Sequence, residues 1–191
     1  MSDDASFAQL VSLACHDVRT PLATVHGFAK TLERTGELDA PADRYVEMIG
    51  LASTEMAELL DTLSVAARIE SGRYDPALRS IDTLELAQHA QERLGGIDVR
   101  GAGTTIETDV EAVDRAVTSL ARCALRHGGL AEVAVVVDGA EITVSPITPA
   151  SAPVVIGDDL RDLRAAVAVR LIRALGGGVR VDGETLVIRL G

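Results

Sequence analysis

The sequence predicts an α+β chain: an antiparallel hairpin of two long helices, then a two-layer α/β sandwich. Three observations carry this expectation. Two consecutive stretches within residues 1–72 repeat apolar positions at alternating steps of four and three, the pattern of helices packed along a seam. From Ile81 onward, short β-branched runs alternate with helical stretches punctuated by glycine pairs, the texture of a layered α/β fold. Aromatic residues make up 2 % of the chain and Trp is absent, so the core is built from Leu, Val, Ile and Ala.

The first helix is expected over about 4–35. Its seam is Phe7, Val11, Ala14, Val18, Pro21, Val25, Phe28 and Leu32. Pro21 lies inside it, where it removes one backbone hydrogen bond and bends the axis. Thr-Gly-Glu-Leu-Asp-Ala-Pro around Gly36 supplies a stop and a restart. The second helix, about 41–71, has its seam at Tyr45, Ile49, Ala52, Met56, Leu59, Leu63 and Ala66 and an acidic outer face at Glu47, Glu55, Glu58 and Asp61. One hairpin cannot cover its own apolar stripe, so two are expected to join as a homodimeric four-helix bundle.

Residues 73–80 contain Tyr-Asp-Pro and read as a linker between a domain over 1–72 and a second over 81–191. In the second domain, Asp82 caps a helix to Leu94, Ile97–Val99 is a short strand, and Gly101 to Gly103 is a turn. A helix from Asp109 to His127 stops at Gly128-Gly129. Val133 to Val137 and Glu141 to Val144 form a hairpin around Asp138-Gly139. Ser145 to Gly157, with three prolines, is loop. A helix over 160–175 precedes a last strand pair around Asp182-Gly183-Glu184. The count is three helices and about five strands.

Composition narrows the function. The net charge is −11, with 5 basic and 12 acidic residues up to position 72 and 13 and 17 beyond it. Neither part is a basic arm, so nucleic acid and anionic membranes are excluded as partners. The acidic Met-Ser-Asp-Asp-Ala-Ser start is not a signal peptide, and no apolar run reaches membrane-spanning length. Cys15 and Cys123 stand far apart in no metal spacing and read as free thiols of a cytoplasmic protein. No metal site is expected, and His26, His89 and His127 read as surface or boundary residues.

The segment His16-Asp17-Val18-Arg19-Thr20-Pro21-Leu22 carries the chemistry. His16 lies two residues from Ala14 and two from Val18, hence off the seam and toward solvent. Arg19 and Thr20, at i+3 and i+4, share its face. Neutral imidazole is a nucleophile near pH 7. A carboxylate from Asp17 on one ring nitrogen fixes the tautomer and leaves the other nitrogen to attack. Arg19 and Thr20 are suited to hold a phosphoryl group or a water. Ala23, Thr24, Gly27 and Thr31 continue that face with small side chains, a low surface on which a partner helix can dock.

This segment resembles the H-box of sensor histidine kinases, His-Asp/Glu-x-x-Thr-Pro-Leu on a dimerisation helix. The order of elements over 81–191 resembles the ATP-binding domain of the same family, with its motifs lost. Where the family carries Asn for the Mg²⁺–phosphate site, this chain has Ser119 and Cys123, and Cys is a poor Mg²⁺ ligand. Val144-Ser145-Pro146-Ile147-Thr148-Pro149 replaces the adenine-reading Asp-x-Gly-x-Gly. Asp162-Leu163-Arg164 replaces the Gly-Leu-Gly of the phosphate-binding helix start.

The resemblance implies a histidine phosphotransferase of a two-component phosphorelay, exchanging a phosphoryl group between His16 and aspartates of response-regulator receiver domains, with ATP and Mg²⁺ binding lost. A phosphatase variant would use Thr20 to position water. Two alternatives remain at this level: an active sensor histidine kinase with an atypical pocket, and a non-enzymatic scaffold that binds a regulator or a kinase.

Overall fold

The computed structural model describes residues 3–36 and 38–191. Met1 and Ser2 of the acidic start, Glu37 of the turn and the side chain of Phe7 lie outside what is described. The chain divides into two compact units, Met1–Arg73 and Tyr74–Gly191.

The first unit is the hairpin. Helix α1 (Asp3–Thr35) runs through Pro21 without interruption. It ends where Gly36 takes a positive φ of 63°, a conformation that glycine adopts without steric cost. Helix α2 (Ala40–Glu70) starts on Asp39, whose Oδ1 accepts from Ala42 N at 3.0 Å. The seam read from sequence does not join these helices. On α1 the buried positions are Ala8, Cys15, Leu22 and Ala29; on α2 they are Val46, Gly50, Ser53 and Ala67. Both sets fall one residue after the expected seam, about 100° round each helix. The helices meet through small side chains, which permit close approach, and Ser53 satisfies its hydroxyl on Ile49 O at 2.7 Å. Much of the expected seam stays open to solvent: Val18 is 51 %, Val25 47 %, Phe28 68 % and Leu32 44 % exposed, as are Tyr45, Ile49 and Met56 on α2.

The second unit is a mixed sheet covered by helices. Its elements are β1 (Leu78–Asp82), α3 (Thr83–Arg93), β2 (Ile97–Gly103), β3 (Thr105–Asp109), α4 (Val110–Gly128), β4 (Val133–Gly139), β5 (Glu141–Ser145), α5 (Ala152–Val155), α6 (Leu163–Ala174), β6 (Gly178–Asp182) and β7 (Thr185–Arg189). The five-stranded sheet has the order β2-β4-β5-β7-β6. Only the β2–β4 pair is parallel. Alternate residues of β4 and β5, namely Val133, Val135, Val137, Ile142 and Val144, are buried, while their neighbours are half-exposed, so the helices cover one face. Asp82, Asp109 and Asp162 each cap the following helix with a carboxylate oxygen. Asp114, buried on α4, accepts from Arg93, which ties α3 to α4, and His89 Nδ1 stands 3.3 Å from its other oxygen.

Four expectations are corrected here. The 73–80 linker ends early, because β1 starts at Leu78 and pairs antiparallel with β3. The Gly101 to Gly103 turn is strand: β2 continues to Gly103, and Gly101 lies so close to β4 that a Cβ there would collide with the backbone of Val137. The 145–157 loop contains the single turn α5. The helix expected from Leu160 starts at Leu163, after its Asp162 cap. The sheet region therefore holds seven strands, two of them in a separate ladder.

Candidate phosphoacceptor site

The imidazole of His16 stands on the outer face of α1, with 76 % of its side chain exposed. The helix turns each successive residue by about 100°, so α1 carries three stripes roughly a third of a turn apart. One is the contact with α2, one is the open apolar stripe, and the third holds His16, Thr20, Ala23, Gly27 and Thr31. Asp17, the next residue, bends its carboxylate back to the ring: Oδ1 lies 3.2 Å from Nδ1. With Nδ1–H donating to that carboxylate, the lone pair sits on Nε2, which faces solvent.

Arg19 reaches across the hairpin. Its Nη2 donates to Asp61 Oδ1 at 2.7 Å, so the guanidinium is held beside the imidazole face while still 44 % exposed. Asp61 was expected to belong to the plain outer face of α2. It is instead the partner of Arg19, separated from it by 42 residues. The sequence hid this pairing, because only the register of the hairpin turns an acidic residue on one helix into a neighbour of a basic one on the other.

His16, Arg19, Thr20, Ala23 and Thr24 line one shallow depression. Thr24 Oγ1 donates back to Thr20 O at 3.2 Å and Thr31 Oγ1 to Gly27 O at 2.8 Å. Folding their hydroxyls onto their own helix keeps the surface low. A Cβ at Gly27 would meet nothing within 4 Å. His16, Arg19, Thr20, Ala23 and Thr24 thus share one face, Gly27 and Thr31 continue it beyond the rim of the depression, and Asp17 lies about 100° round the helix and reaches back to the ring.

The other histidines sit at the boundary between core and surface. His26 is half-buried on the α2-facing stripe. His89 faces buried Asp114, and His127 Nε2 lies 3.4 Å from Asp162 Oδ2. Around the expected nucleotide-site replacements, Ser119 is half-buried and Cys123 fully buried. Burial, and next the charge of Asp162, push the Cys123 thiol up to about 12, against the opposing pull of Arg126 and Arg161. Asp162 Oδ1 accepts from Ala165 N at 3.0 Å. The amides opening α6, which could bind an anion, therefore already face a carboxylate.

An exposed, carboxylate-oriented histidine on a helical hairpin, followed by a mixed α/β unit, defines a histidine phosphoacceptor architecture. Residues 8–72 match the His Kinase A (phospho-acceptor) domain. The chain is 30 % identical over 88 residues to the sensor protein DivL of Caulobacter vibrioides, covering 43 % of this chain and 11 % of DivL. It is 25 % identical over 128 residues to the probable sensor histidine kinase TcrY of Mycobacterium tuberculosis, covering 63 % of this chain and 27 % of TcrY. Full-length ShkA, solved in complex with AMPPNP, shares the fold with a TM-score of 0.70 at 21 % identity, over 94 % of this chain and 44 % of ShkA. Residues 8–72 thus match the histidine kinase-type phosphoacceptor domain, and the chain is similar to sensor histidine kinases. It spans well under a third of the length of the two sequence relatives. Among the described residues, no helix is long and apolar enough to cross a membrane.

Proposed function

We propose that the chain is a histidine phosphotransferase: His16 exchanges a phosphoryl group with aspartates of response-regulator receiver domains. The observation that carries this reading is the exposed His16 ring with Nδ1 held by Asp17 at 3.2 Å. In the forward step, the Nε2 lone pair attacks the phosphorus of an aspartyl phosphate. The N–P bond forms as the P–O bond to the receiver carboxyl breaks, and the aspartate leaves as carboxylate. The ring becomes cationic, and Asp17 stabilises the charge through the Nδ1 proton. Arg19 meets the charge spread over the phosphoryl oxygens. The low surface from Ala23 to Thr31 lets a receiver helix approach closely enough for in-line transfer, about 3–3.5 Å between reacting atoms.

The working unit is a homodimer joined through the open apolar stripe. Burying a Val, Leu or Phe side chain contributes on the order of 1.5–3 kcal/mol, and Val18, Val25, Phe28 and Leu32 all stand available. The second unit does not use ATP: Ser119 and Cys123 offer no hard-oxygen ligand pair of the Asn kind, and Asp162 fills the α6 amides. It serves as a buttress or partner-docking surface.

The test is incubation with ³²P-labelled receiver domain and, separately, with labelled ATP. Label is expected to move from the receiver to the chain and not from ATP. His16→Ala, at an exposed position, should lose the label completely and keep the circular dichroism of the parent. Labelling retained by folded His16→Ala would refute the assignment; labelling from ATP would replace it with an autokinase.

A further inference from the structure

The second unit brings together three side chains that the phosphoacceptor chemistry does not use. Cys123 and His127 lie four residues apart on α4, hence on one face, and Asp162 stands at the start of α6. One ligand atom from each, the thiol sulfur, a ring nitrogen and a carboxylate oxygen, all lie within 4.8 Å of one another. His127 Nε2 and Asp162 Oδ2 are 3.4 Å apart. Two ligands bonded to zinc at about 2.0–2.1 Å and at the tetrahedral angle are themselves about 3.4 Å apart. That edge of the polyhedron is already in place, and small side-chain rotations would bring the sulfur to its bonding distance.

The surroundings suit a metal centre. Cys123 is fully buried, and the side chains of His127 and Asp162 are 18 % and 16 % exposed. The site is therefore shielded yet retains an opening through which water can supply a fourth ligand. Asp162 is oriented from behind, since its other oxygen accepts from Ala165 N at 3.0 Å. Such outer hydrogen bonds fix ligand carboxylates. Thiolate, imidazole and carboxylate select zinc over magnesium or calcium, which require hard oxygens. Two anionic ligands balance the charge of a dication. Of the two nearby cations, Arg126 and Arg161, the second already donates to Asp159 at 2.7 Å.

We propose that Cys123, His127 and Asp162 bind one zinc ion, with water as fourth ligand, pinning α4 to the start of α6. On binding, the Cys123 thiol releases its proton to solvent as the sulfur–zinc bond forms. His127 binds through Nε2 as the neutral ring with its hydrogen on Nδ1. This inference does not depend on phosphotransfer by His16.

The full chain, stripped with a chelator and dialysed against micromolar zinc, should retain one zinc per chain and melt at a higher temperature than the stripped form. Cys15→Ser and His16→Ala should retain the ion; Cys123→Ser and His127→Gln should lose it. With cobalt in place of zinc, the parent should show thiolate-to-metal charge-transfer absorption and the visible bands of a tetrahedral site, both absent from Cys123→Ser. His127→Gln, at the less buried position, keeps the test decisive if Cys123→Ser fails to fold. Absence of retained zinc in the parent, retention by folded His127→Gln, or loss on His16→Ala would overturn the proposal. In that case the three residues are a His–Asp hydrogen bond beside an inert thiol.

Discussion

Arg19 is the residue whose surroundings the sequence revealed least. Its pairing with Asp61 is a surface ion pair, and exposed pairs contribute about 0–1 kcal/mol, so its value is in placement. The carboxylate holds the guanidinium at the His16 face without burying it. Arg19→Gln should therefore leave the thermal midpoint almost unchanged while slowing transfer from a phosphorylated receiver on the order of 10²-fold, the usual cost of removing one charge-stabilising donor. Stopped-flow transfer kinetics beside a thermal melt separate the two effects; an unchanged transfer rate would remove Arg19 from the chemistry. His16 itself was legible because its neighbours in sequence are its neighbours in space. The Cys123–His127–Asp162 cluster was not, because Asp162 comes from a different helix and no local spacing announces it.

At the scale of elements, the helices were easier to read than the strands. Asp39, Asp82 and Asp109 mark helix starts by a side chain that satisfies an orphan amide, which is a local signal. The β1–β3 ladder gave no such signal: Leu78–Asp82 and Thr105–Asp109 are largely exposed and lack apolar alternation. The two surfaces of α1 yield separate predictions. Phe28→Glu puts charge into the open stripe, at a side chain that is 68 % exposed. It should convert a dimer to monomer in sedimentation velocity while the helix content stays constant. Gly27→Trp lies on the third stripe, where a new side chain meets open space. It should preserve the dimer and cut transfer from the receiver strongly by obstructing docking. Parental transfer rates in folded Gly27→Trp would move the docking face elsewhere.

At the scale of the whole molecule, the sequence set out an α+β chain with a helical hairpin first and a mixed sheet unit after it, and the structure has that order. What it could not supply was which of two adjacent heptad stripes closes the hairpin, since both consist of residues acceptable in a seam. The second unit is a mixed sheet covered by helices, with a carboxylate at the α6 amides and a buried thiol on α4. Titration calorimetry of the intact chain with Mg²⁺-ATP should show no binding heat. Micromolar affinity there would restore the kinase reading of the whole chain.

The stripe of Ala8, Cys15, Leu22 and Ala29 repeats every seven residues along a helix of 33. A straight α-helix drifts by about 20° per heptad against such a repeat. Over the length of α1 the accumulated drift would be roughly 90°, nearly the angle that separates this stripe from the apolar one beside it. An uncoiled α1 would thus present its small-residue stripe to α2 at one end and its large apolar stripe at the other. Keeping each stripe on its own partner requires the two helices to wind about each other with a left-handed supercoil. Whole heptads can be added to or removed from α1 and α2 together without disturbing that phase. Insertion of a single residue would exchange the partners of every stripe beyond it.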